Sequence, residues 1–109
     1  MLTVDLHLKN ENTDTAVYNL YEMIVLCKRQ KTQVLACVVG YGSSGKTHKI
    51  RTAVLLKLKE YQQNNFIKEY IEGNKVDIFN LEYQKLKYKH CLPKEAMSRR
   101  NPGIIYVFV

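Results

Sequence analysis

Apolar and polar residues alternate from the start of the chain, with Leu2, Val4, Leu6 and Leu8 on one face and Thr3, Asp5 and His7 on the other. A period of two predicts a half-buried strand over residues 2–8. Asp5 and His7 then share its polar face, about 7 Å apart along it. The polar stretch 9–14 is rich in capping residues and leads into a helix. Over residues 15–29, Val17, Leu20, Ile24 and Cys27 recur at helical spacing, and Lys28 and Arg29 close the segment where cations suit the dipole. After a short polar link, Val34-Leu35-Ala36-Cys37-Val38-Val39 is apolar throughout, which predicts a strand covered on both faces.

A second amphipathic helix is marked over residues 47–63 by Ile50, Ala53, Val54, Leu58 and Tyr61. Residues 66–71 alternate in part and predict a third strand, closed by the turn signal Glu72-Gly73-Asn74. From Asp77 to Tyr88 the apolar residues show no clear period beyond a short helix, and Pro93 breaks what precedes it. Ser98-Arg99-Arg100-Asn101-Pro102-Gly103 reads as a basic turn before a final strand, Ile104-Ile105-Tyr106-Val107-Phe108-Val109. The order β-α-β-α-β-(insert)-β predicts an α/β fold: a two-layer sandwich whose mixed four-stranded sheet carries two main helices on one face. The final strand is a candidate for an exposed edge.

Composition narrows the class. A chain of 109 residues accommodates one domain, spanning 1–109. Its longest apolar runs are too short to cross a bilayer, and Met1-Leu2-Thr3-Val4-Asp5 lacks a signal peptide's basic flank, so a cytoplasmic protein is expected. Cys27, Cys37 and Cys91 are odd in number and widely spaced, which suits buried free thiols in a reducing compartment. With 17 Lys and Arg against 10 Asp and Glu, the net charge of +7 favours polyanionic partners, nucleic acid before an acidic membrane surface.

The candidate chemistry gathers at Gly40-Tyr41-Gly42-Ser43-Ser44-Gly45-Lys46-Thr47, between the second strand and the second helix. Glycines there let a phosphate approach backbone N–H groups at a helix N-terminus. Lys46, His48, Lys49 and Arg51 crowd the first turns, where cations oppose the dipole unless an anion joins them. The stretch fits G-x-x-x-x-G-K-[ST] at every position, so a nucleotide-binding P-loop is one reading, with Lys46 on the phosphates and Thr47 on Mg²⁺. That reading also needs an Asp at the end of a neighbouring buried strand. The sole candidate, Asp77, follows no such strand, and the loop follows the second strand rather than the first.

Taken with Val4-Asp5-Leu6-His7-Leu8, the loop resembles the Smr (small MutS-related) domain. That family's first strand typically carries L-D-L-H-G, its second ends in H-G-x-G-[ST]-G before a helix, and its last follows an N-x-G-like turn. Asn101-Pro102-Gly103-Ile104-Ile105 matches the last of these, and order and spacing agree along essentially the whole chain. The resemblance implies nucleic-acid binding and, in many members, endonuclease activity on DNA or RNA. By position, Asp5 and His7 match the catalytic strand motif, and Gly40, Gly42 and Gly45 the phosphate-holding loop. Tyr41, Ser43, Ser44, Lys46, His48 and Arg51 complete the expected binding face, with Arg99 and Arg100 as a basic flank. Nothing in the sequence forms a preformed metal cage, and a divalent cation such as Mg²⁺ near Asp5 is the one cofactor the chemistry leaves open. Two departures stand out: Val39 replaces the family's usual His before the loop, and Leu8 the Gly that ends the first motif. They leave a second reading open, a catalytically degenerate module that binds nucleic acid without cutting it.

Overall fold

The computed structural model of the chain describes residues 1–7, 12–41 and 45–109. Strand β1 (Leu2–Asp5) leads to helix α1 (Thr13–Gln30), which begins earlier than its apolar stripe because the Asn12 side chain accepts a hydrogen bond from Thr15 N at 2.9 Å. Lys31 ends it in a left-handed conformation with φ 57°. Strand β2 (Val34–Val38) and helix α2 (Gly45–Gln63) follow. Strand β3 (Glu69–Glu72) is shorter than its pattern predicted. Phe66, counted into that pattern, instead stacks on Tyr21 with ring centres 5.6 Å apart and meets Tyr61 edge-on. Residues 73–100 form an insert containing two short helices, α3 (Leu81–Gln84) and α4 (Lys94–Arg99), before strand β4 (Ile104–Phe108). The expected basic turn is therefore helical through Arg99.

The sheet has the order β1-β2-β4-β3. β1 and β2 are parallel, while β4 runs antiparallel to both β2 and β3. The expectation of β4 at an edge is corrected: it lies in the middle. Its physical reason is the unbroken apolar run, which suits a strand buried on both faces rather than an edge that must meet water. Ile105, Tyr106, Val107 and Phe108 are all buried.

The mixed four-stranded sheet and its two main helices agree with the predicted fold. Leu35, Cys37, Ile105 and Val107 face α1 and α2, where Leu20, Ile24, Ile50, Val54 and Leu58 complete the core. The insert covers the opposite face, where Val34, Ala36, Ile71, Tyr106 and Phe108 pack against Val76 and Ala96. This is why β2 reads as continuously apolar: both of its faces are covered.

Candidate functional site

Because β1 and β2 are parallel, their C-terminal ends reach the same rim of the sheet, and β4 begins there. Three backbone hydrogen bonds draw the rim together. Leu6 N donates to Val38 O at 2.8 Å, Val39 N to Gly103 O at 2.8 Å, and Gly40 N to the same oxygen at 3.2 Å. Alternation continues past the end of β1, so Leu6 is fully buried while Asp5 and His7 flank it toward solvent.

Asp5 and His7 form one unit. Asp5 Oδ1 accepts the His7 backbone N–H at 2.9 Å, and the His7 Nδ1 ring atom lies 2.7 Å from the same oxygen. That second contact is close but not aligned as a hydrogen bond, leaving Nδ1 buried without a straight partner. Their side chains are 43% and 34% exposed, so a substrate can reach both. Across the rim, Gly40 is buried with φ 77°, a left-handed conformation that a side chain strains. Tyr41 is exposed, and α2 begins at Gly45. Lys46 lies in that helix's first turn, and His48 is exposed just after it. Gly42, Ser43 and Ser44, the middle of the expected phosphate cradle, lie outside the described residues, as do Leu8 and the side chains of Lys46 and Thr47.

Arg51 is part-buried and already engaged. Its guanidinium donates to Pro102 O and, at 2.5 Å, to Glu72 Oε1, in a half-buried setting. Lys75 Nζ holds the other Glu72 oxygen at 2.9 Å and also reaches Glu82 at 3.1 Å. Burial works against ionisation of Glu72, but the hydrogen bonds and charges of Lys75 and Arg51 outweigh it and hold the carboxyl below its ordinary value. Sequence reasoning missed Glu72, reading it only as the edge of a turn. A carboxylate and a guanidinium 21 positions apart carry no local pattern that would pair them.

Arg99 and Arg100 are exposed where α4 ends, immediately before the Asn101–Gly103 turn that packs on Gly40. Arg100 lies 3.5 Å from Asp77, whose other oxygen accepts the Phe79 N–H at 3.0 Å. Asp77 thus serves a turn in the insert. Among the described residues no group of three or more His, Cys, Asp or Glu side chains could hold a metal ion. Cys27 and Cys37 are buried free thiols, and burial pushes both thiol pKa values up, away from the reactive thiolate. Among the described residues no helix is long and apolar enough to cross a membrane. Comparison of the chain with protein-family models, with curated proteins and with solved structures finds no match.

Proposed function

We propose that this chain is an Smr-like nucleic-acid-binding domain that cleaves the phosphodiester backbone at the rim formed by Asp5, His7 and the loop beginning at Gly40. The observation that carries the reading is the Asp5–His7 contact at 2.7 Å, on the rim where β1 and β2 both end and α2 begins nearby. With Nδ1 held beside the carboxylate, Nε2 on the far side of the ring is the base, taking a proton from water or from a ribose 2′-hydroxyl. Backbone amides at the start of α2, with Lys46, balance the charge that develops on the phosphate. In this reading the exposed Tyr41, His48, Arg99 and Arg100 extend the contact surface, and contacts of this kind grip backbone rather than sequence. Arg51 acts through its hold on Pro102 and Glu72.

One observation favours a second reading, a module that binds without cutting. Val39 is fully buried, so its position contributes packing and no imidazole to the rim. A missing acid or base costs on the order of 10²–10⁴-fold in rate. Single- and double-stranded DNA and RNA, incubated with and without Mg²⁺, separate the two. Wild-type protein should cut, and Asp5→Ala/His7→Ala should cut at least about 100-fold more slowly while binding nearly as well. Equal cleavage by both proteins excludes this site, and binding with no cleavage by either establishes the binding-only module.

A further inference from the structure

The insert carries a second cationic surface, remote from the rim. Residues 83–94 read Tyr-Gln-Lys-Leu-Lys-Tyr-Lys-His-Cys-Leu-Pro-Lys, four lysines with no carboxylate among them. Leu86 and Tyr88 turn inward and pack against the core of the insert face, leaving Lys85, Lys87 and Lys89 exposed. The backbone between them is fixed from below. Glu69 spends both carboxylate oxygens on it, accepting Lys87 N at 2.9 and 3.0 Å and Tyr88 N at 2.9 Å. Glu69 thus shapes the backbone of the strip, while Glu82 and Glu95 flank the run in sequence and Glu82 is paired with Lys75.

None of Lys85, Lys87, Lys89 and Lys94 forms an ion pair among the described residues. Lys68 adds a fifth cation, its Nζ 4.7 Å from the centre of the Tyr88 ring. Glu69 pairs with Phe108 at the end of the sheet opposite the rim, so the Lys87–Tyr88 backbone that it holds stands about 13 Å from the rim, four strand steps away, while Lys94 begins the helix α4 that leads back toward it. One phosphate cannot serve both.

Beside Lys89 and Lys94 opens a groove of about 320 Å³, lined otherwise by Val76, Tyr83, Leu92, Pro93 and Met97. An apolar floor bordered by two lysines, one of them (Lys89) with its Nζ 5.6 Å from the centre of the Tyr83 ring, fits a flat, weakly polar body that carries phosphates. That is the make-up of a nucleotide in an unpaired strand, whose base can leave the stack while its flanking phosphates stay outside. A duplex keeps its bases inside; the exposed Ile78, Phe79 and Leu81 of the same insert make an acidic membrane surface the rival occupant that the vesicle arm of the test decides.

We infer that the strip Lys85–Lys87–Lys89, with Lys94 and the groove beside it, is a docking surface for single-stranded nucleic acid, separate from the rim. The choice of ligand rests on the nucleic-acid reading above; the surface itself rests on its own residues. Its test is a salt titration of binding to a single-stranded oligonucleotide, to a duplex of equal length, and to vesicles with and without phosphatidylserine. Wild type is compared with Lys85→Gln/Lys87→Gln/Lys89→Gln, with the Arg-for-Lys triple variant, and with Asp5→Ala/His7→Ala. Melting temperature confirms that each variant is folded.

The glutamine triple should bind single strands at least about tenfold more weakly, with a log–log salt slope shallower by about 2, at ~0.7 per lost phosphate contact. The arginine triple should retain both. If wild type binds but the glutamine triple binds identically, the strip is excluded and the rim reading stands. Should the triple lose binding while wild type cleaves nothing, the strip is supported and the rim loses its catalytic role. Equal dependence of duplex binding on the three lysines overturns the groove assignment. Loss of vesicle binding with unchanged oligonucleotide affinity overturns nucleic acid as the occupant, and absence of any oligonucleotide binding by wild type overturns both readings.

Discussion

Arg51 and Glu72 meet at 2.5 Å while Arg51 also grips Pro102 O, so one side chain ties α2 to the end of β3 and to the turn that opens β4. Lys75 on the second oxygen makes Glu72 the hub of three charges. Glu72→Gln should cost about 1–3 kcal/mol at neutral pH, read from urea unfolding, because it removes charge from half-buried hydrogen bonds. The pH dependence has a definite sign. The folded chain holds the Glu72 pKa below its ordinary value of 4.5, so folding favours the ionised form. The stabilisation is complete above that value and is lost as acid carries the carboxyl through its lowered pKa. The gap between wild type and Glu72→Gln should therefore close as pH falls below 4.5; a gap that widens in acid would contradict the pairing. Asp5 and His7 were legible at this scale because alternation alone puts both on one face. Arg51 was legible as a cation near the loop, but not as one already engaged.

The elements meet most tightly where β3 gives way to the insert. A Cβ built on Gly73 would sit 2.2 Å from Asn101 O and 3.0 Å from Ile104 O, both backbone atoms that cannot swing aside. Gly73→Ala should cost about 3 kcal/mol, the upper end of overpacking penalties, visible as a lower urea midpoint with little change in slope. An alanine tolerated there without loss would mean that the turn at 101–103 can shift, and with it the contact of Gly103 on Gly40. The four strands and two long helices were readable from periodicity, since each buries a stripe or a face. What periodicity misjudged was β3, where Phe66 belongs to an aromatic cluster rather than to the sheet. It also left the insert without a role, because 73–100 is organised by tertiary contacts such as Glu69 with the backbone of Lys87 and Tyr88.

At the scale of the molecule, the net charge of +7 is distributed unevenly. Cations stand at the start of α2, at the end of α4 and along the insert, on two ends of one sheet. The loop's match to a P-loop is complete in sequence, yet the carboxylate such a site requires is occupied elsewhere, Asp77 being held by Phe79 N and Arg100. Calorimetry should accordingly detect no ATP or GTP binding at millimolar nucleotide, and measurable Mg²⁺-dependent affinity would restore the nucleotide reading. The central place of β4 has a further consequence, for how the chain is made. β2 and β3 are not hydrogen-bonded to each other; each pairs with β4, which is synthesised some thirty residues after β3. Until it emerges, both strands carry open edges, and both faces of the sheet lack the core residues that β4 supplies. The nascent domain is thus a set of parts awaiting a keystone, and the time during synthesis when it can be captured by a chaperone or a neighbour ends with β4.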